Sequence, residues 1–129
     1  MRVLVCGTFD CLHPGHRFFL DQAQKKGNEL FIIVARDQSV EQIKGRAPVQ
    51  AEKERLELLS SLYPEAHVVL GSLGGDFLKP VREIKPNVLC LGYDQKLPPG
   101  VIEKDIGCKI MRIPAFKPEE YKSSILRKK

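Results

Sequence analysis

Two histidines and two glycines cluster directly after the first apolar run of the sequence. The run Val3–Cys6 is followed by Gly7-Thr8-Phe9-Asp10-Cys11-Leu12-His13-Pro14-Gly15-His16. We expect a helix to begin there, because Pro14 suits a first helical turn, where a missing N–H costs nothing. Helix N-termini carry free N–H groups and a partial positive charge, and therefore bind anions. Both His13 and His16 flank this end, and each imidazole can donate a hydrogen bond to a phosphate oxygen. The motif predicts a phosphate-binding site.

The same residues have simpler explanations, which the pair of histidines alone leaves open. The imidazoles could do no more than cap the helix, with the glycines in an ordinary loop. Together with Cys11, the histidines could also ligate a metal ion. A core role is not expected, because the turn that carries the histidines is polar and rich in glycine.

Short β-branched runs alternate with helical patterns along the chain, without an internal repeat or a Ser/Gly-rich linker. The predicted strands are Val3–Cys6, Leu30–Ala35, His67–Leu70, Val88–Leu91 and Lys109–Ile113. The first four are almost wholly apolar, which is typical of strands covered on both faces, whereas the last mixes charged and apolar residues as an edge strand can. The predicted helices are His16–Lys26 with Gly27 as its C-cap, Ala51–Leu62, a segment from Asp76 to before Pro86, and a short helix beginning near Ser123 or Ser124.

This order of elements predicts an α/β fold. We expect a single Rossmann-like domain over residues 1–129, with a five-stranded parallel sheet and helices on both faces. Ligands of such sheets bind beyond the carboxyl ends of the strands, where the strand order reverses. Functional residues should therefore follow the strands.

Composition narrows the class of protein further. A chain of 129 residues, 43% of them hydrophobic, can form a core without disulfides. The longest apolar stretch has six residues, so no membrane span is expected, and the absence of a secretory signal predicts a cytoplasmic protein. The four cysteines, which lack CxxC spacing, are expected to be free thiols. The net charge of +5 suits phosphorylated small molecules and requires no nucleic acid.

The ten-residue string after the first strand matches the GTFDxxHxGH signature, and the chain resembles the HxGH nucleotidyltransferase superfamily. The resemblance implies that His13 and His16 are catalytic. They would stabilise the charge that develops on an α-phosphate as another phosphate attacks it and pyrophosphate leaves, without a covalent intermediate. The resemblance also implies ATP binding by Thr8, Phe9, His13, Pro14, Gly15 and His16, and acceptor binding by Asp10.

Weaker segments match the same superfamily in order along the chain. The resemblance implies that Asp37 and Arg46 lie near the acceptor and that Lys44 is a catalytic residue that meets phosphates from a loop. It places Arg55 near the acceptor phosphate, although an i,i+3 ion pair with Glu52 would explain this arginine structurally. The other implied ATP-binding residues are Asp94, after the fourth strand, and Tyr121, Ser123 and Ser124, which lie near the basic Lys122 at the start of the last helix.

The combination Ala-Arg-Asp, Lys-Gly-Arg-x-Pro, Leu-Gly-x-Asp-Gln and a late Ser-Ser is most similar to the archaeal FAD synthases. That resemblance implies transfer of AMP from ATP to FMN, with a divalent cation (Mg²⁺ or similar) bridging phosphates, no metal site on the protein, and a homodimer. The Arg-Thr-Glu-Gly-Ile-Ser-Thr-Thr string of cytidylyltransferases is absent. Glycerol-3-phosphate cytidylyl transfer stays an alternative, as does adenylyl transfer to phosphopantetheine or a sugar phosphate. A non-catalytic nucleotide-binding module is a further alternative, although anion binding alone needs neither histidine.

Overall fold

Alternating strands and helices make up the part of the chain that the computed structural model describes, namely residues 1–72, 77–92, 95, 97 and 101–114. The strands are β1 (Arg2–Gly7), β2 (Glu29–Val34), β3 (His67–Leu70), β4 (Val88–Gly92) and β5 (Lys109–Ile113). The helices are α1 (Pro14–Gln24), α2 (Asp37–Lys44), α3 (Glu52–Leu62), α4 (Leu78–Ile84) and α5 (Glu103–Ile106).

The five strands form one parallel sheet in the order β3-β2-β1-β4-β5. Strand β1 pairs with β2 on one side and with β4 on the other, so the strand order reverses between β1 and β4. In a parallel sheet, this reversal leaves a crevice beyond the carboxyl ends of the two strands. The predicted α/β class with a five-stranded parallel sheet is confirmed.

Helices cover both faces of the sheet, as predicted. On one face, α1 and α3 pack over alternate residues of the strands, with Leu20 and Leu59 among the buried contacts. On the other face, α4 and α5 contribute Val81 and Ile106 to a second apolar layer. The two layers hold the sheet rigid, and loops at its carboxyl edge can therefore position side chains accurately.

One edge strand was predicted correctly and the other was not. Strand β5 lies at an edge, as its mixture of charged and apolar residues indicated. Strand β3 lies at the opposite edge, although its apolar sequence suggested cover on both faces. The side of β3 that carries Val69 is open, and Val69 is 40% exposed. Strand order depends on pairings between distant segments, and an apolar tetrapeptide does not encode it.

The prediction for the end of the first helix was wrong. Helix α1 begins at Pro14 and is capped at its carboxyl end by Lys25 in a right-handed conformation, two residues before Gly27. A Cβ atom on Gly27 would lie 2.7 Å from the carbonyl oxygen of Met1. Glycine is therefore required there by the close approach of the chain entering β2 to the start of β1, and not by a helix cap.

Two short helices escaped the sequence analysis. Helix α2 is capped at its carboxyl end by Gly45, which adopts a φ of 77°, and α5 is capped by Gly107 with a φ of 74°. Each helix buries a single residue, Val40 in α2 and Ile106 in α5, so neither shows an apolar stripe. The predicted cap Asp76 and the predicted last helix lie outside the described residues.

The four cysteines are free thiols, as predicted. None of the helices in the described ranges is long and apolar enough to cross a membrane.

Candidate active site

His13 and His16 lie at the junction between the loop that follows β1 and helix α1, and both form hydrogen bonds with backbone groups. His13 is the N-cap of α1 and accepts a hydrogen bond at Nδ1 from the N–H of Gly15, at 3.0 Å. The N–H of His13 in turn donates to Nδ1 of His16, at 3.3 Å, so that the two residues cap the helix reciprocally. Their rings stack with centroids 3.8 Å apart.

These hydrogen bonds assign the tautomer of both imidazoles. A neutral imidazole has one N–H donor and one acceptor nitrogen. Because each Nδ1 accepts from a backbone N–H, each proton resides on Nε2. His13 is exposed and His16 is half-buried, and the pair presents two N–H donors at the helix start. The first backbone N–H groups of the helix are themselves bonded to His13, so the imidazoles take their place as donors.

The electrostatic environment keeps His16 neutral. Its pKa is lowered from 6.5 to about 4, first by partial burial, then by electrostatic interactions with His13 and Lys44, with Asp10 opposing the shift. At neutral pH, His16 therefore acts as a hydrogen-bond donor and carries no net charge. The contribution of Lys44 places the end of α2 within electrostatic range of His16. We call residues 8–13, which join β1 to α1, the histidine loop.

A strained backbone shapes the loop that precedes the histidines. Phe9 and Cys11 have φ values of 52° and 48°, in the left-handed region that non-glycine residues rarely adopt. The ring of Phe9 is 5% exposed and packs edge-on against His16, with centroids 5.8 Å apart. It also occupies the space beside Gly7, where a Cβ would lie 2.9 Å from the ring. The Phe9 ring, expected to bind ATP, is turned inward and supports His16.

Asp10 ties the histidine loop to the segment before α3. Its two carboxylate oxygens accept from the N–H groups of Val49, at 2.7 Å, and Gln50, at 2.9 Å. The bond from Gln50 contributes most to holding the pKa of Asp10 below its ordinary value. The N–H of Cys11 adds a bond to Oε1 of Gln50, at 3.0 Å. The resemblance placed Asp10 at the acceptor, yet both of its oxygens already accept main-chain bonds.

Arg55 is fully buried, at 0% exposure, and each of its guanidinium nitrogens donates to an oxygen of the protein. Nε donates to the carbonyl of Gln50 at 3.0 Å, Nη1 to the carbonyl of Thr8 at 2.7 Å, and Nη2 to Oδ1 of Asp37 at 2.6 Å. An acceptor phosphate has no open path to this guanidinium. The expectation of direct acceptor binding by Arg55 therefore does not fit the structure.

The simpler prediction, an ion pair between Arg55 and Glu52, is also wrong. Glu52 pairs with Arg36 at 2.9 Å and accepts from the N–H of Asp37 at 2.9 Å. The N–H of Glu52 donates back to Oδ2 of Asp37, at 3.2 Å. The first turns of α2 and α3 are thus joined by reciprocal bonds, and the side chain of Asp37, which is 37% exposed, faces Arg55.

Lys44 and Arg46 are the exposed cations of this region. Lys44 is the last residue of α2, and Arg46 follows the left-handed Gly45. Both side chains are exposed, and the segment that carries them is anchored beyond Arg46 by the bonds of Asp10. These cations are available to an anionic ligand.

Two residues that the sequence analysis did not single out join the ends of β1, β4 and β5. Gln95 donates from Nε2 to the carbonyl of Cys6 at 2.9 Å and accepts at Oε1 from the N–H of Gly92 at 3.0 Å, which bridges the crevice between β1 and β4. Arg112 donates to the carbonyls of Gly92, at 2.9 Å, and of Gln95. In the sequence, this bridge was indicated only by the last residue of the Leu-Gly-x-Asp-Gln segment, which is Gln95.

Four of the predicted nucleotide-binding residues lie outside the described residues: Asp94, Tyr121, Ser123 and Ser124. Lys122 is also outside them. In the described part of the chain, no group of three or more His, Cys, Asp or Glu side chains is placed to hold a metal ion.

A doubly wound parallel sheet, with two stacked histidines at the N-terminus of its first helix, defines an α/β protein of the nucleotidyltransferase class. The cytidylyltransferase-like family model matches residues 4–129, and the chain belongs to this family.

The chain is also similar to curated proteins and to a solved structure. The chain is 45% identical over 121 residues to the FAD synthase of Methanosarcina mazei, a match that covers 90% of this chain and 78% of that protein. It is 39% identical over 131 residues to the FAD synthase of Methanobrevibacter smithii, covering 95% and 85%. The crystal structure of the lipopolysaccharide core biosynthesis protein from Thermoplasma volcanium GSS1 superposes with a TM-score of 0.80 at 38% identity, covering 91% of this chain and 98% of that one.

Proposed function

We propose that this protein is an FAD synthase, which transfers AMP from ATP to FMN and releases pyrophosphate. The observation that carries the proposal is the match to FAD synthases at 45% and 39% identity over most of the chain. The histidine pair supports it, because two N–H donors at a helix N-terminus suit the charge that accumulates on a phosphate under attack.

In the proposed reaction, an oxygen of the FMN phosphate attacks the α-phosphorus of ATP. The new bond joins that oxygen to the α-phosphorus, the bond from the α-phosphorus to the bridging oxygen of the β-phosphate breaks, and pyrophosphate leaves. Nε2–H groups of His13 and His16 donate to non-bridging α-phosphate oxygens, which gain charge in the transition state. Lys44 and Arg46, exposed cations at the end of α2 and directly after it, offset the charge of the phosphates. The enzyme contributes position and charge and forms no covalent bond to the nucleotide.

We also propose that the two substrates bind at different parts of the carboxyl edge of the sheet. The nucleotide lies over the β1–β4 crevice, where Gly7 and Gly92 end their strands, with Thr8, Pro14 and Gly15 near its phosphates and Asp94 near its ribose. The acceptor lies on the β2 side, towards Asp37 and Arg46. Tyr121, Ser123 and Ser124 close over the β- and γ-phosphates, a role that rests on the family resemblance alone.

A divalent cation fits this site only as a partner of the phosphates. Both oxygens of Asp10 accept main-chain bonds, and those of Asp37 accept from Arg55 and Glu52. Mg²⁺ in proteins keeps several waters and is held chiefly by substrate phosphates with one or two carboxylates. Such an ion would neutralise phosphate charge, and the half-exposed Asp37 is the carboxylate best placed to reach it through water.

We further propose that the protein is a single domain, forms a homodimer and is cytoplasmic. A single domain, a homodimer formed along an open sheet edge such as β3, and the absence of nucleic acid partners are each consistent with the fold. The free cysteines suit a reducing compartment, which supports a cytoplasmic location.

A second candidate is adenylyl transfer to a sugar phosphate. It is favoured by the superposition on a protein described as taking part in lipopolysaccharide core biosynthesis. The histidine pair would serve this reaction equally well, since the difference lies in the acceptor alone.

A matrix of donors and acceptors tests these proposals together. ATP and CTP are each combined with FMN, glycerol 3-phosphate, phosphopantetheine and a heptose phosphate, and pyrophosphate release is measured for every pair. We expect release only with ATP and FMN. Release with ATP and the heptose phosphate alone would establish the second candidate, and release with CTP and glycerol 3-phosphate alone would contradict both. ATP binding without any release would indicate a nucleotide-binding module.

A further inference from the structure

We infer that Arg55 is a positioning residue of the transfer reaction, which acts by holding the histidine loop against the starts of α2 and α3. The inference rests on the proposed function for its kinetic tests. Arg55 does not contact substrate in this assignment. It acts through the backbone at Thr8 and through the carboxylate of Asp37.

The bonds of Arg55 complete a closed ring of contacts around the histidine loop. Nη1 fixes the carbonyl of Thr8, and two residues later Asp10 accepts from the N–H of Gln50. The carbonyl of Gln50 then accepts from Nε of Arg55, which closes the ring. Three segments that are distant in sequence therefore share a single buried side chain. Movement of any one of them breaks a bond to Arg55.

Burial makes this arrangement sensitive to small changes. The guanidinium has no exposed surface, and Asp37, at 2.6 Å, carries the negative charge that compensates it. Removal of one partner from such a pair leaves an uncompensated buried charge, which destabilises strongly. Lysine keeps the charge but cannot donate in three fixed directions to three segments, since its ammonium is a single point on a flexible stem.

The consequence should appear at the histidines. Thr8 directly precedes Phe9, whose ring packs against His16, so loosening the Thr8 carbonyl releases the support of His16. A displacement of about 1 Å at a transferring group can cost on the order of 100-fold in rate. A residue that contacted the acceptor phosphate would instead raise the KM for the acceptor.

The test compares Arg55→Lys with Lys53→Gln, a change at an exposed residue of the same helix. We expect Arg55→Lys to lower kcat about 30-fold with both KM values within about threefold of wild type, because the transferring groups are misplaced while substrate contacts persist. An increase of tenfold or more in the KM for FMN with kcat retained would overturn the inference, as would an unchanged kcat in a folded variant.

NMR titration of His16 supplies a readout that a purely structural role would not move. Partial burial and electrostatic interactions with His13 and Lys44 hold the pKa of His16 at about 4, with Asp10 opposing them. In folded Arg55→Lys, water gains access to the ring, and the titration midpoint should move towards 6.5. An unmoved midpoint in the folded variant would refute positioning. This arm needs no substrate, and its result stands whichever acceptor the enzyme uses.

Asp37→Asn covers the case in which Arg55→Lys fails to fold. The asparagine oxygen can still accept from Nη2 but no longer compensates the buried charge. As in Arg55→Lys, kcat should fall and the titration midpoint of His16 should rise, but both effects should be smaller, with a loss of about tenfold in kcat. Wild-type kcat together with a wild-type midpoint in Asp37→Asn would overturn the inference.

Discussion

His13 performs two tasks in this structure, and a single substitution separates them. Its Nδ1 accepts from the N–H of Gly15 and caps α1, while its Nε2–H is the donor proposed for the α-phosphate. Asparagine at an N-cap position accepts the same backbone bond and is among the best capping residues. His13→Asn should therefore keep the cap and lose the donor.

The two effects have different expected sizes. Loss of one donor to a developing phosphate charge costs about 100- to 1000-fold in kcat. Loss of an N-cap costs about 1 kcal/mol of stability, whereas exchange between good caps changes stability by a few tenths. We expect His13→Asn to show the full loss of kcat with nearly wild-type stability. His13→Ala should show both losses.

FAD formation measured by chromatography gives kcat, and thermal denaturation followed by circular dichroism gives stability. His67→Asn is the matched control, since His67 begins β3 at the amino edge of the sheet, away from the histidine loop, and should retain full kcat. Wild-type turnover in His13→Asn would show that His13 only caps the helix, and would refute the donor assignment.

Further predictions follow from the same geometry. As the pH falls from 6.5 to about 4, His16 takes up a proton in the unfolded chain but not in the native state. The free energy of unfolding, measured by urea denaturation at each pH, should therefore decrease over this range, and it should decrease less in His16→Asn. Lys44→Met should raise the NMR titration midpoint of His16 and lower kcat/KM about tenfold; an unmoved midpoint would place Lys44 elsewhere. Asp10→Asn removes one of two charge-assisted bonds to the segment before α3 and should lower kcat/KM for FMN about tenfold in steady-state assays. Gly27→Ala should destabilise the fold by about 1–3 kcal/mol with kcat at 25 °C unchanged, since the new Cβ would overlap the carbonyl of Met1.

The sequence was most informative where the determinants are local. Pro14 and the spacing of His13 and His16 predicted a helix N-terminus with two imidazoles, and the structure has the helix beginning at Pro14 with His13 as its cap. The strand runs were equally local, and each observed strand lies within one residue of its predicted bounds.

Long-range contacts account for the features that the sequence did not reveal. Arg55 was expected near the acceptor phosphate or, more simply, paired with Glu52 one turn away, yet it bonds to Thr8 and Asp37, which lie 47 and 18 residues distant. Gly27 matched the local rule for a helix cap, but the carbonyl of Met1 decides its role. Such contacts exist only once the sheet has assembled, and no periodicity along the chain encodes them.

Tracing the label of ATP tests the central claim most directly. The enzyme is incubated with FMN and ATP labelled at either the α- or the γ-phosphate, and the products are separated. The account predicts that the α-label appears in FAD and the γ-label in pyrophosphate, in equal amounts and with no label retained on the protein. Absence of the α-label from FAD, or its retention on the protein as a covalent adduct, would contradict it.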